Sequence, residues 1–303
     1  SRMIASQVCA TWPCEVTRRA HGRGTLAPPN WGHEGDPVYA GRMLSPDSAT
    51  SPVILAIVFG LLVVGLVINA LVKDRRAYQR FALLTSSRER RRTLGRWLLQ
   101  AFLLFGGCSL VTLVLAWRYV PLVLDAVDEI PWVADARAGF ANSGFAAGLT
   151  IGIVIALVAG AVLGIVLARR SIDGDATIPT VGDVQALLPR NRAELPYGAA
   201  ISINAGIVEE LLFRLAMPAL IFGFTHNAGL AVVASVIVFG ALHAYQGVAG
   251  VIGATLIGAA LMFVYLSTEN IVVAIVAHAL FDLRSLVLIP VIVTRAHRIP
   301  ATD

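Results

Sequence analysis

The stretch PVILAIVFGLLVVGLVINALV, residues 52–72, contains no charged residue. A helix that crosses the hydrocarbon core of a bilayer needs about 20 consecutive apolar residues, so this stretch is long enough to span a membrane. Further stretches of similar character lie at residues 97–117, 146–168, 198–224, 228–246, 248–266 and 271–293. Together they predict about seven transmembrane helices. We therefore expect an all-α, polytopic membrane helical bundle.

The composition of the whole chain also indicates a membrane protein. Its 303 residues are 57% hydrophobic and 14% charged, whereas soluble domains carry roughly 25% charged residues. The formal net charge is +5, but the basic residues lie beside apolar runs, where they indicate topology, and we expect no nucleic-acid partner. Cys9, Cys14 and Cys108 form no CxxC pair, so neither a disulfide framework nor a zinc finger is predicted.

The distribution of charge between the apolar stretches predicts the orientation of the chain. Segment 73–96 is rich in arginine and is expected to be a cytoplasmic loop, whereas the acidic loop 119–145 is expected outside. Arg295 and Arg298 follow the last apolar stretch. The pattern predicts a multi-pass protein of the cell membrane with a cytoplasmic C-terminus.

Breaks in the apolar pattern suggest how the chain is divided. Residues 1–42 are rich in Arg, Pro and Gly without a helical or strand period, so we interpret them as a disordered or non-native extension; they have too little apolar content for a small domain. A three-helix membrane part is expected at 43–170. Segment 171–197 is interpreted as a cytoplasmic loop with a short amphipathic segment. The four-helix part 198–303 follows.

Ionisable residues are concentrated in the last four apolar stretches. A charged residue inside a bilayer costs at least ~2.5 kcal/mol on insertion scales, so it persists where it is paired or functional. These residues are Glu209, Glu210, Arg214, His243, His278, Asp282 and Arg284. They predict that the working part of the molecule lies in the C-terminal half.

The sequence EELLFR, residues 209–214, contains both a possible ion pair and a possible catalytic acid. Glu210 and Arg214 are four residues apart, so they lie on one helix face and can pair. Glu209 then points to a different sector, because adjacent helical residues diverge by about 100°. A buried carboxylate suits a general base. The alternative is a single structural network of all three residues.

Two histidines, His243 and His278, lie in separate apolar stretches. A neutral imidazole can accept a proton from water, donate to an oxyanion or bind a metal ion. A buried histidine is more often structural, but two of them beside a glutamate pair indicate a reactive site. Asp282 follows His278 by one helical turn.

These motifs together resemble the CAAX prenyl endopeptidase and bacteriocin-processing family of intramembrane proteases, also called the CPBP or Abi family. EELLFR matches the family's EExxxR motif, and FGALH, residues 239–243, matches FxxxH. HALFD, residues 278–282, matches the third motif, with Asp282 where the prenyl endopeptidases have Asn. The resemblance covers about residues 185–293.

The resemblance implies hydrolysis of a peptide bond in a membrane-associated protein or peptide. It implies that Glu209 and His243 activate water, that His278 and Asp282 stabilise the oxyanion, and that Glu210 and Arg214 hold the site together. We expect no cofactor, because there is no HExxH and a Glu–His pair can activate water by itself. Zinc is the alternative, with Glu209, His243 and His278 as ligands.

Two other functions are compatible with buried Glu, His and Asp residues. A proton-coupled membrane transporter would contain them, although the charged pattern does not repeat between the two halves. A non-catalytic immunity or scaffold membrane protein could keep the fold without activity. The presence of Glu209, His243 and His278 favours the protease, while Asp282 weakens that preference.

Overall fold

The structure, a computed structural model, describes residues 48–141 and 183–301, together with the single residues 46, 148, 152 and 166. Within these ranges the chain is helical and contains no strand, which confirms the predicted all-α fold class. The predicted extension 1–42 and almost all of the predicted helix 146–168 lie outside the described residues.

Within each of the two described ranges, short turns connect successive helices. The helices are α1 (Ser51–Ala82) and α2 (Ser87–Ala116), α3 (Tyr119–Asp128), α4 (Pro131–Ala141), α5 (Leu195–Glu210, Leu211–Ala216 and Met217–Thr225), α6 (Ala228–Ala241), α7 (Gly247–Thr268) and α8 (Ile271–Thr294). A 3₁₀ turn, Leu242–Gln246, joins α6 to α7.

Within the described ranges, four helical runs are long and apolar enough to cross a membrane: α1, α2, the run Ala228–Thr268 and α8. Their outer faces expose large aliphatic side chains such as Leu61 at 71%, Leu110 at 65% and Leu256 at 66%. Such a surface is compatible with lipid but not with water. The chain is therefore a membrane helical bundle, although the predicted count of about seven spans is not confirmed.

Helix α5 occupies the centre of the bundle. Its first segment packs against α2 and α8, and its last segment packs against α1, α3 and α6. Between Leu212 and Phe222 nearly every side chain is buried. Because this part of α5 is enclosed by protein, Arg214 and the neighbouring Glu210 can find partners, and the cost of burying them is reduced.

A glycine allows α5 and α8 to approach closely just before the glutamate pair. A Cβ atom at Gly206 would lie 2.9 Å from Cβ of Ala279 and 3.0 Å from the carbonyl oxygen of Ile275. Any larger residue would push the two helices apart. The contact therefore sets the distance between Glu210, one turn further along α5, and His278 on α8.

The arginine-rich segment differs from the loop that we expected over 73–96. Most of it is helical, because α1 continues to Ala82 and α2 begins at Ser87. The acidic segment 119–145 likewise contains the short helices α3 and α4 rather than an open loop.

Segment 183–194 is attached to this helical hairpin by a buried ion pair. Arg90 and Glu194 are both inaccessible, and Nε of Arg90 lies 3.1 Å from the carboxylate. Arg90 also donates to the carbonyl oxygens of Ala186 and Leu188, at 2.9 and 3.3 Å. Of the predicted segment 171–197, residues 183–194 wrap around this buried guanidinium and contain one 3₁₀ turn, Gln185–Leu187, whereas the residues from Leu195 onward belong to α5.

Candidate active site

The glutamate pair lies where the geometry of α5 changes. Regular α-helix ends at Glu210, and Leu211–Ala216 is π-helical. π-helical turns inside α-helices are found frequently at functional sites, because the wider turn redirects side chains. Arg214 lies within this turn, one turn after Glu210.

Glu210 is the centre of the polar cluster. Its side chain is fully buried, and Oε1 lies 3.0 Å from Nη1 of Arg214. The same oxygen accepts a hydrogen bond of 2.7 Å from Nδ1 of His278 on α8. Glu210 thus joins α5 to α8, and it neutralises the buried guanidinium of Arg214.

Arg214 is held on its other side by α7 and α6. Nη2 donates to the carbonyl oxygen of Gly258 at 3.2 Å, and the guanidinium lies 4.4 Å from the centre of the Phe239 ring. A Cβ atom at Gly258 would lie 2.7 Å from that ring, so only glycine leaves space for this packing. A cation over an aromatic face is stabilised when both are shielded from water.

His243 lies in the 3₁₀ turn that follows α6. Its Nδ1 lies 2.8 Å from the carbonyl oxygen of Phe239. A carbonyl oxygen only accepts, so Nδ1 carries the hydrogen and Nε2 of the neutral ring is left as an acceptor. The ring centre is 4.9 Å from that of Phe239, which in turn is 6.2 Å from that of His278. The ring of Phe239 therefore lies beside both histidines.

Asp282 and Glu209 are the less constrained carboxylates of the site. Oδ2 of Asp282 lies 3.7 Å from Nε2 of His278, and its side chain is 27% exposed. That distance permits attraction between charges but exceeds a hydrogen bond. Glu209 is half-buried and interacts electrostatically with His278 and Arg214. Among the described residues it makes no hydrogen bond, so its carboxylate is available to a water molecule or a substrate.

The structure thus joins Arg214 and His278 through Glu210, and it places His243 beside Phe239, whose ring also lies near His278. The predicted Glu210–Arg214 pair is present. Sequence analysis missed the Glu210–His278 contact, since these residues are 68 positions apart and no spacing rule relates them.

The histidines of the site have the donor atoms that a metal ion would need. In both histidines Nδ1 donates a hydrogen bond to an oxygen acceptor. Metal-binding imidazoles commonly have this arrangement and bind the metal ion through Nε2. However, no group of three His, Cys, Asp or Glu side chains in the described ranges is arranged to hold a metal ion. The predicted zinc ligands Glu209, His243 and His278 are thus suitable in type but do not converge in the described structure.

Comparison with known proteins agrees with this arrangement. Residues 191–284 match the family model of the type II CAAX prenyl endopeptidases, Rce1-like. No curated protein and no solved structure matches the chain. The matched region contains every candidate residue from Glu209 to Asp282. Residues 191–284 are therefore similar to the Rce1-like, type II CAAX prenyl endopeptidases, and this similarity supports the resemblance to the CAAX and CPBP family of membrane proteases.

Proposed function

We propose that the chain is an intramembrane endopeptidase that hydrolyses a peptide bond of a membrane-associated protein or peptide. The observation that carries the proposal is the buried hydrogen bond between Glu210 and His278, which fixes one imidazole beside the unpaired carboxylate of Glu209. An ordinary structural network would also pair Glu209, whereas here that carboxylate is left available.

Glu209 is proposed to act as the general base. A carboxylate beside His278 and Arg214 but without a hydrogen bond can bind a water molecule and remove its proton as the water attacks the carbonyl carbon. Nε2 of His243 can accept a hydrogen bond, and we propose that it accepts one from the second O–H of the same water. The proton then passes to the leaving amine.

His278 is proposed to stabilise the negative charge that develops on the carbonyl oxygen. Because Glu210 accepts from Nδ1, the opposite nitrogen Nε2 faces away from that contact and can donate when the ring is protonated. The carboxylates of Glu210 and Asp282 flank the ring and favour its charged form. Arg214 fixes Glu210 in turn, so it acts as a positioning residue.

We also propose which groups the reaction needs, how the substrate reaches the site and how the chain is oriented. The reaction needs no cofactor, because carboxylate and imidazole supply the proton transfers. The substrate is proposed to reach the site within the lipid bilayer of the cell membrane. The arginine-rich hairpin of α1 and α2 is proposed to face the cytoplasm, as is the C-terminus, since basic segments are retained on that side.

Replacing Glu209 tests the function. The full chain in proteoliposomes is incubated with a library of membrane-tethered peptides, and cleavage products are identified by mass spectrometry. Glu209→Gln keeps the size of the side chain but removes the base, so cleavage is expected to fall by about 10²–10⁴-fold. Glu129→Gln, at an exposed position after α3, is the matched control and should retain the wild-type rate.

The same assay examines the proposed independence from metal. A chelator is expected to leave the wild-type rate unchanged. Loss of activity with the chelator and recovery with zinc would assign the reaction to a metal centre instead. Near-normal turnover of Glu209→Gln would contradict its role as the base.

A further inference from the structure

A recess in the arginine-rich hairpin, here called the α2 recess, lies where α1 turns into α2. Its volume is about 650 Å³, and it is lined by Leu84, Glu89, Arg92, Thr93 and Arg96. All of these residues precede the family-matched region, which begins at residue 191. The α2 recess therefore belongs to a part of the chain that the proposed reaction does not use.

The two arginines of the α2 recess are not neutralised by the protein. Arg92 and Arg96 are exposed and lie four residues apart on one face of α2, where two like charges destabilise a helix. Nη2 of Arg96 donates to the hydroxyl oxygen of Thr93 at 3.2 Å, which holds this guanidinium at the recess. Among the described residues, neither arginine forms an ion pair. An anion that bound both would relieve their repulsion.

A further cation, Arg190, lies at the rim of the α2 recess. Its Nη1 donates to the carbonyl oxygen of Leu84 at 2.9 Å, and Leu84 lines the recess. Of the described residues in the lining, Glu89 alone is acidic. Arg92, Arg96 and Arg190 therefore outnumber the carboxylate, and the net charge around the recess is positive.

The position of the α2 recess along its helix corresponds to the headgroup layer of a bilayer. Trp97 begins the apolar run 97–117 and marks the edge of the hydrocarbon core, as interfacial aromatic residues do. At ~1.5 Å per residue, Arg96 lies about 1.5 Å and Arg92 about 7.5 Å beyond Trp97. The polar layer on each side of the core is about 5–7 Å thick. Glu89 lies about 12 Å beyond Trp97, on the water side of that layer.

The face of α2 that carries the two arginines continues into a surface for acyl chains. At about 100° per residue, positions 92, 96, 99 and 103 fall within about 60° of one another around the helix. Leu99 is 59% exposed and Leu103 is 62% exposed. A molecule whose anionic group is held by Arg92 and Arg96 therefore has its apolar part beside two exposed leucines.

We propose that the α2 recess is a binding site for one anionic glycerophospholipid. Its phosphate lies between Arg92 and Arg96, whose guanidinium groups donate pairs of hydrogen bonds to phosphate oxygens. Its acyl chains follow Leu99 and Leu103. A zwitterionic lipid carries the same phosphate, but its ammonium group is repelled by the excess of arginine around the recess. The site does not depend on the proposed protease reaction.

A lipid titration followed by native mass spectrometry tests the site on the delipidated full chain in detergent micelles. Phosphatidylglycerol, phosphatidylethanolamine and phosphatidylcholine with identical acyl chains are compared, and inorganic phosphate is the probe without acyl chains. The dissociation constant of the first bound molecule is measured for the wild type, Arg92→Gln, Arg96→Gln and Arg76→Gln. Arg76 is the matched control, because it is an exposed arginine four residues after the apolar stretch 52–72 and does not line the recess.

Phosphatidylglycerol is expected to bind more tightly than either zwitterionic lipid. Arg92→Gln and Arg96→Gln should each weaken its binding by about 5-fold, the effect of removing one basic residue beside an anionic headgroup. Arg76→Gln should bind phosphatidylglycerol as the wild type does. Unfolding midpoints without lipid should be the same for all variants, since the replaced side chains are exposed.

Several outcomes would overturn the site. Equal weakening by all three arginine variants would mean a diffuse attraction to the basic hairpin, and equal affinities for the three lipids would exclude recognition of an anionic headgroup. Inorganic phosphate that binds as tightly as phosphatidylglycerol would identify a site for a free anion. Tighter binding of phosphatidylethanolamine that is lost in Glu89→Gln would assign the recess to a zwitterionic headgroup.

Discussion

Glu209 and Glu210 are neighbours in the sequence but have different surroundings. Glu210 is fully buried between Arg214 and His278, whereas Glu209 keeps its carboxylate unpaired among the described residues. The i,i+4 rule was sufficient to predict the pair of Glu210 with Arg214. It could not indicate that the same carboxylate also holds His278, because that contact depends on how α5 and α8 pack.

Asp282 provides a test of what keeps His278 charged. At 3.7 Å from Nε2 of His278, an ionised Asp282 would favour the imidazolium that we propose as the donor to the oxyanion. Asp282→Asn removes that charge and keeps the size, so kcat is expected to fall on the order of 100-fold, the scale of one oxyanion contribution. The measurement is steady-state kinetics on a cleaved peptide, with Asp125→Asn at an exposed site of α3 as control.

Other results for Asp282 would point to other roles. Retained or improved activity of Asp282→Asn would mean that the residue acts as a neutral hydrogen-bond donor. Reduced activity that excess zinc partly restores would indicate support of a metal. Asn and Ala variants that both match the wild type would show that Asp282 has no catalytic role.

At the scale of the helix, the site depends on the distance between α5 and α8. Gly206 brings the two helices so close that a Cβ atom would meet Ala279 at 2.9 Å. The hydrogen bond from His278 to Glu210 lies one turn away, so a small separation of the helices would break it. Packed helices respond to such steric overlap by moving rather than by compression.

Gly206→Val is therefore expected to separate α5 from α8 and to remove the Glu210–His278 contact. Cleavage should decrease by at least 10-fold, and the unfolding midpoint should fall because overpacking costs about 1–3 kcal/mol. Gly60→Val in α1 is the matched control, since a Cβ atom there would meet nothing within 4 Å. Thermal unfolding and peptide cleavage are measured on both variants. Wild-type activity of Gly206→Val would mean that the close approach does not position His278.

At the scale of the whole molecule, the lengths of the apolar stretches predicted the helical class. They did not predict which helices are exposed at the surface of the bundle. The stretch 198–224 was expected to be a transmembrane helix; in the structure it belongs to α5, whose second half is buried in the protein, whereas Ile203 and Ile207 in the first half are exposed. Hydropathy is similar for a helix surrounded by lipid and a helix surrounded by protein, so it cannot separate the two cases. Likewise, Arg90 was interpreted only as a topology signal, because its partner Glu194 is 104 positions away.

The orientation of the molecule is tested by labelling single cysteines. In a background in which Cys9, Cys14 and Cys108 are replaced, Glu129→Cys should react with an impermeant maleimide in intact cells, and Arg88→Cys should react after permeabilisation only. Both positions are exposed, so a lack of reaction reports the side of the membrane rather than burial. The reverse pattern would place the arginine-rich hairpin outside.

The buried pair of Arg90 and Glu194 limits how this protein can be divided. Glu194 lies inside the family-matched region 191–284, whereas Arg90 lies outside it. A fragment that begins at residue 183 would leave Glu194 without its counter-ion, and stranding one member of a buried pair costs about 3–5 kcal/mol. That loss is a large share of a typical folding free energy of about 5–15 kcal/mol. The C-terminal region is therefore not a transplantable module, and a chimera that exchanges it must also carry the matching hairpin of α1 and α2.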